Sequence, residues 1–397
     1  MNILVSAYAC EPAQGSEPGA GWSFARAAAL HHDVWLLTRS NLAPVIEPAR
    51  EREPDLHLRP VYLDLPPWVL RWKHGLRGVH WYYPLWQLAA WRHARRLHRQ
   101  VRFDVAHHVT FAADWMPAGV GWLRGVPLVW GPVGGATGVP RSLWRWLGWR
   151  GSLSEAARGL ATWSGRQLFG KPVAHRAALI VAQNKDVAKA FDGQRPVVVE
   201  PNVAMDGATP VSPRRPARDQ VPKRRALFAG RLLAWKGIRL AVTVLARPEA
   251  SGWSLDVYGA GPEARAVGRL ARRLGVTDRV VFHGARPREE VLVAIAKADA
   301  LLYPSMRDAA SWIVAEALSL GCPVVCLDRG GPAVLVGPGE GVKVPVTGEI
   351  VANLARALSS LPGHGTPVTR WNTARLPALV SSWYEQAAKI DVLSSQQ

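Results

Sequence analysis

Cysteine is scarce: Cys10, Cys322 and Cys326 are the only three in 397 residues. Three cannot build a disulfide framework, and no second Cys/His cluster stands at zinc spacing. Cys322 and Cys326 flank PVV, a strand pattern, and read as small core hydrophobes. Long apolar runs are missing too, none reaching the roughly 18 residues of a membrane span. The start, MNILVSAYA, lacks a basic n-region and a cleavage signal, so it reads as the first β-strand of a protein folding in the cytoplasm. No D-x-D occurs anywhere, so a metal clamp on a diphosphate lacks its usual ligands and no metal is expected. Acids are few: 30 Asp and Glu face 49 Lys and Arg, a formal net charge of +19. That balance implies an anionic partner.

The shortage of acids is local. None lies between Asp64 and Asp104, where Arg71, Lys73, Arg77, Arg92, Arg95, Arg96, Arg99 and Arg102 are interleaved with Trp68, Trp72, Trp81, Tyr82, Tyr83, Trp86 and Trp91. A second acid-free stretch, Trp115 to Ser154, contains RSLWRWLGWRG. Cations mixed with Trp on helical segments suit an anionic membrane surface. The alternative is a core-facing aromatic stripe backed by a solvated basic face. Nucleic acid is not expected, because no recognised motif accompanies the aromatics.

With 48% hydrophobic and 20% charged residues the chain is globular, and its length suits two domains. Short apolar strands alternate with amphipathic segments: NILVSAY, DVWLLTR, FDVAHHV, VPLVWGPVGG and ALIVAQN, then RALFAGR, SLDVYGAG, RVVFHGA, ADALLYPS and CPVVCLD. This rhythm predicts parallel sheets with helices on both faces. We divide the chain into an N-terminal Rossmann-like domain over 1–202, a Pro/Arg-rich linker over 203–224 and a C-terminal one over 225–374. A last helix, 375–393, is expected to pack back on the first domain. In such sheets ligands collect beyond the carboxyl ends of the strands, so the informative residues should follow strands.

They do. FAGRLLAWKG puts Arg231 directly after a strand and Lys236 beside a glycine, a planar fork and a point charge able to clamp a diphosphate. YPSMRDAASWIVAEALSLG places Asp308 before a helix that begins near Ser311 or Trp312, with Glu316 in its second turn; that helix start is a ready anion site. DVYGAGPEARA fits the dinucleotide fingerprint, but the next strand ends without the acid that would hold a ribose, so a nicotinamide cofactor is not expected. CEPAQGSEPGAGW offers Gly15, Gly19 and Gly21 for close approach or a turn. FDVAHHV ends in His107 and His108, which point to opposite faces, so at most one of them should enter a cleft.

Together, in order, these motifs resemble glycosyltransferase family 4: retaining enzymes of the GT-B architecture, two Rossmann-like α/β domains facing a central cleft. The likeness is strongest from Leu227 to Pro332, and the opening segment is similar to a bacterial branch that builds surface polysaccharides. The resemblance implies a metal-independent transferase that moves a sugar from a nucleotide-diphosphate donor to a lipid-linked or polysaccharide acceptor at the inner membrane face. It implies that Arg231 and Lys236 hold the diphosphate, and that the backbone at Ser311, Trp312 and Ile313 meets phosphate or sugar. Glu316 would bind the ribose, Asp308 the transferred sugar, and Arg286 would lie near the base. Gly261 of YGAGPE completes the donor site, Gly15 would approach it from the first domain, and one of His107 and His108 would face the sugar. His107 keeps the D-x-x-H spacing from Asp104 and is preferred. Two departures stand out: Asp308 replaces the usual Glu, and Val109 replaces a second His. The remaining readings are a sugar-nucleotide epimerase on the same fold and a non-catalytic membrane or nucleic-acid binding protein.

Overall fold

The structure, a computed structural model, describes residues 1–70, 78–193, 195–205 and 224–394. The linker expected over 203–224 falls almost wholly on 206–223, outside the described residues, as do Arg71, Trp72, Lys73 and Arg77.

Two compact units form. The first holds a seven-stranded sheet ordered β3-β2-β1-β4-β5-β6-β7. Its strands are β1 (Asn2–Ser6), β2 (Asp33–Thr38), β3 (Leu58–Tyr62), β4 (Val105–His108), β5 (Leu128–Val133), β6 (Ala177–Ala182) and β7 (Val197–Val199). The second holds a six-stranded sheet ordered β10-β9-β8-β11-β12-β13. Its strands are β8 (Arg224–Ala229), β9 (Trp253–Tyr258), β10 (Val280–Gly284), β11 (Ala300–Tyr303), β12 (Val324–Leu327) and β13 (Gly341–Val344). Every pairing is parallel. Parallel sheets are covered on both faces, so central strands read as unbroken apolar runs. β5, β6, β11 and β12 are buried at every position.

Residues 1–136, 160–204 and 372–397 make the first unit, and 137–159 with 205–371 the second. Thr137–Gly159 lie inside the 1–202 domain read from the sequence, yet they pack with the second unit. Charge explains it. Glu155 pairs with Arg307, accepts from Arg158 Nη2 at 2.9 Å and from Val139 N at 3.0 Å, and Arg329 Nη2 donates to Gly138 O at 2.8 Å. The C-terminal helix Leu376–Ser394 belongs to the first unit, where Trp383 stacks on Phe24 with centroids 6.0 Å apart.

The aromatic stretch divides. On the helix Val79–Val101, Tyr82, Tyr83 and Trp86 are buried against β1 and β4, whereas Trp81 is 84% exposed. Among the described residues no helix is long and apolar enough to cross a membrane.

The helix Ser16–Ala29 lies flush on the segment that leaves β1, because Gly21 has no side chain: a Cβ there would stand 2.1 Å from Ala9 O and 2.8 Å from Thr110 Cγ2. Backbone cannot give way as a side-chain tip can. Gly21→Ala should therefore cost about 1–3 kcal/mol, as overpacking does, read as a lower urea midpoint. An unchanged midpoint would show that the helix can lift without penalty.

Candidate active site

In the second unit, the loops after successive strands converge at the carboxyl ends of the sheet. After β8 the chain passes through Gly230, Arg231 and a short 3₁₀ turn, Ala234–Lys236, to the helix Ile238–Val244. Gly237 between turn and helix has φ +82, and a Cβ there would fall 2.0 Å from Pro304 O. Only glycine lets this loop sit against the loop after β11. The loop after β9 braces it from the other side. Leu232 N donates to Ala260 O at 2.9 Å, and a Cβ on Gly261 would lie 2.5 Å from Leu232 O. Gly261 thus backs the loop that carries Arg231. The glycines of DVYGAGPE serve loop packing.

Lys236 reaches across to β11. Its Nζ pairs with Asp308 Oδ2 and donates to the Tyr303 hydroxyl at 2.6 Å, and Tyr303 in turn donates to the same Oδ2 at 2.7 Å. Burial pushes the Asp308 carboxyl up, but the Lys236 charge and the hydrogen bonds outweigh it and hold the pKa below the usual carboxylate value. The backbone of Asp308 is fixed as well: Gly331 N donates to Asp308 O at 2.9 Å. Arg231, by contrast, is exposed and has no ion pair among the described residues. Lys236 is a paired cation, and Arg231 a free one.

Past Asp308, Ser311 takes φ +66 and opens the helix Trp312–Ser319 without a cap hydrogen bond from its own side chain. Its first N–H groups and positive dipole end face the carboxyl ends of the strands. Glu316 is 7% exposed, and Arg288 Nε donates to its Oε1 at 2.7 Å. Its Oε2 carries no hydrogen bond among the described residues. Burial raises the Glu316 pKa, with Arg288 opposing. Arg286 is exposed in the loop after β10 and donates to His283 O at 3.1 Å. Thus Arg231, Lys236, Gly261, Arg286, Asp308, Ser311, Trp312, Ile313 and Glu316 all sit at one end of one sheet. Tyr303, Arg288 and Arg307 join them without having been singled out in the sequence. The Arg307 guanidinium lies 4.7 Å from the Trp235 ring and pairs with Glu155.

The first unit holds the rest. Gly15 has ordinary extended backbone, φ −82 and ψ 174. Left-handed instead are Ala13 (φ 59) and Ser16 (φ 65) on either side of it, and in the same unit Arg102 (φ 58) before β4 and Phe111 (φ 54) after it. Glu17 ties the two loops: its Oε1 accepts from Phe111 N at 2.5 Å. His107 is fully buried. Nδ1 bonds the Tyr384 hydroxyl at 2.8 Å and Nε2 meets Gly131 O at 2.9 Å, so the ring has no nitrogen left for a sugar. His107, preferred on its spacing from Asp104, thus lies on the face of β4 that the C-terminal helix covers. His108 is also buried, with Nε2 3.1 Å from the Tyr83 hydroxyl and no partner among the described residues at Nδ1. Burial lowers the pKa of His107 to about 4 and, with His107 beside it, that of His108 to about 3.

These shifts have a sign. The folded protein keeps His107 neutral down to about pH 4, while the unfolded chain protonates near 6.5. Its contribution is complete above pH 6.5 and is lost as pH falls toward 4, by up to about 1.4 kcal/mol per unit. In urea unfolding, the destabilisation caused by His107→Gln should therefore shrink between pH 7 and pH 5. A constant gap would contradict the neutral, buried ring.

The family profile "Glycosyl transferases group 1" matches residues 214–362. Among curated relatives, the 2-deoxystreptamine glucosyltransferase of Streptomyces kanamyceticus is 30% identical over 152 residues, 36% of this chain and 37% of that protein. The chain spans less than half the length of the first curated relatives it matches. Among solved structures, sucrose-phosphate synthase from Thermosynechococcus elongatus superposes with TM-score 0.61 at 17% identity, covering 100% of this chain and 97% of that one. Anabaena Alr3699/HepE in complex with UDP and glucose gives TM-score 0.52 at 18% identity, covering 100% and 98%. The fold is therefore GT-B, and residues 214–362 are similar to the glycosyl transferases group 1 family.

Proposed function

We propose that this protein is a metal-independent, retaining glycosyltransferase that takes a nucleotide-diphosphate sugar in its second unit. On this reading the acceptor is a lipid-linked or polysaccharide glycan, met at an anionic membrane surface on the cytoplasmic side. The observation that carries the reading is the convergence of a free cation, a paired cation and a helix start on one patch, with a half-engaged buried carboxylate beside them. Each matches a part of such a donor. Arg231 meets the diphosphate, and Lys236 contributes while held by Asp308 and Tyr303. The start of the Trp312–Ser319 helix adds N–H groups. Glu316 is turned by Arg288 so that Oε2 can accept from ribose hydroxyls. Asp308 accepts from a hydroxyl of the transferred sugar. HepE, which shares the fold, was solved with UDP and glucose.

The chemistry follows from charge. As the glycosidic bond to phosphate breaks, negative charge grows on the leaving diphosphate and positive charge on the sugar ring. Fixed donors aimed at the diphosphate favour that transition state over the ground state. Asp308 is already saturated at Oδ2 by two donors, so it acts as a fixed acceptor and not as an attacking nucleophile.

Arg231→Ala and Lys236→Ala should each lower transfer by about 10²–10³, the usual loss for one such donor, measured as initial rates with a screened nucleotide sugar. Unchanged turnover would sink the clamp. Glu316→Ala should weaken binding of UDP but not of pyrophosphate in titration calorimetry; equal weakening of both would remove the ribose role. Activity should survive exhaustive EDTA treatment, and a strict metal requirement would overturn that part.

A further inference from the structure

The first unit carries a pocket that the donor chemistry does not use. It measures about 600 Å³ and is lined by Pro84, Leu88 and Trp91 from one helix, Trp122 from the 3₁₀ turn Gly119–Trp122, and Leu168 and Phe169 from a π-helical turn. That volume falls within the roughly 300–1,000 Å³ of small-ligand sites. The walls are built. Gly119 N donates to Gln87 Oε1 at 2.6 Å, and a Cβ on Gly119 would stand 2.0 Å from Gln87 O, so the loop is pinned flush to the helix. Trp91 Nε1 donates to Trp122 O at 3.3 Å, and the Arg176 guanidinium lies 4.4 Å from the Trp122 ring.

Around it the surface is apolar and then cationic. Along the helix Val79–Val101, one exposed stripe runs Trp81, Leu85, Leu88, then Arg92, Arg95 and Arg99, at helical spacing. Leu168 of the lining is 68% exposed, and earlier in the same unit Leu160 and Trp163 are exposed as well, at 68% and 56%. Arg124 and Arg176 line the pocket itself and are exposed. All lining residues come from segments without a single acid, 65–103, 115–154 and 156–185. An apolar cavity with a wholly cationic rim is complementary to a molecule that is hydrocarbon at one end and anionic at the other.

We propose that this pocket takes the hydrocarbon chain of a phosphate-bearing membrane lipid, whose phosphate meets Arg124 and Arg176. The proposal rests on the membrane part of the reading above and is independent of the donor site. The exposed stripe then lies along the bilayer, its Trp and Leu at headgroup depth and its arginines over anionic lipid.

The test titrates the full chain with monoacyl phosphatidylglycerols of increasing chain length, kept monomeric, alongside glycerol phosphate as headgroup alone. It also measures flotation with phosphatidylcholine vesicles with and without phosphatidylglycerol. Affinity should rise about fourfold per added methylene until the pocket is full, and glycerol phosphate should not bind. Leu88→Asp and Leu168→Asp, at exposed positions, should weaken binding at least about tenfold, given the value of buried methylenes, with the melting temperature unchanged. Arg124→Ala with Arg176→Ala should abolish the preference for phosphatidylglycerol over phosphatidylcholine. Affinity independent of chain length, or insensitive to the Asp variants, would overturn the pocket. So would a vesicle-inert protein that self-associates through this face until Leu88→Asp separates it. UDP binding by the same variants keeps the readings apart: UDP binding lost in the parent protein with chain-dependent lipid binding intact sinks the donor site alone.

Discussion

A carboxylate taken out of water must be paired, and Asp308 is engaged by two groups through one oxygen, by the Lys236 ammonium and by the Tyr303 hydroxyl. The loops of the second unit are arranged around that contact. Lys236 can reach it because Gly237 lets the loop after β8 close against Pro304, and Asp308 is held in place by the hydrogen bond from Gly331 N. Removing any one partner would leave a buried charge or hydroxyl stranded, so the three residues form one unit. The pairing also sorts the cations. Lys236 is spent in part on Asp308, which leaves Arg231 as the exposed positive group of this patch, the one that on our reading an incoming diphosphate meets first.

The first unit obeys a different constraint. Its sheet is parallel and covered on both faces, so the two histidines at the end of β4 are both drawn inside, one under the C-terminal helix and the other beside Tyr83. Conformational cost falls instead in the loops around the sheet: Ala13, Ser16 and Phe111, which follow strands, and Arg102, which precedes β4, are left-handed without being glycine. Glu17 grips Phe111 N. Backbone held in such regions persists only where its surroundings over-determine it, and here the Glu17 bond and the Gly21 contact supply that restraint.

This contrast explains what the sequence discloses. The alternation of apolar strands and amphipathic segments foretells two parallel sheets, and the rule that ligands lie past strand ends singles out Arg231, Lys236, Asp308 and Glu316, which the fold brings to one place. What it hides are partners distant along the chain. Tyr384 lies 277 residues from His107, and no local pattern announces that it will occupy the imidazole. Arg288 looks like any exposed helix-start cation until the fold puts Glu316 beside it, and Arg307 until Glu155 arrives from a segment that reads as part of the other domain. The glycines of DVYGAGPE are ambiguous for a related reason. A close backbone approach needs glycine whether the neighbour is a pyrophosphate or Leu232, and only the fold says which.

The stretch from Asp308 to Glu316 then makes physical sense as a single device. Its two acids are held by different cations, Lys236 on one side and Arg288 on the other, with the start of the helix Trp312–Ser319 between them. Neither acid titrates like a free carboxylate, and they shift in opposite directions: Asp308 downward because pairing wins, Glu316 upward because burial wins. On our reading they are anchors for two parts of one ligand, each held in place by its own cation. Because Asp308 both contacts the sugar, on our reading, and sets where the Lys236 amine stands, its side-chain length ties sugar recognition to phosphate recognition. A glutamate there would carry its oxygens one methylene farther from the backbone that Gly331 fixes. Lys236 and Tyr303 would have to follow it or lose it.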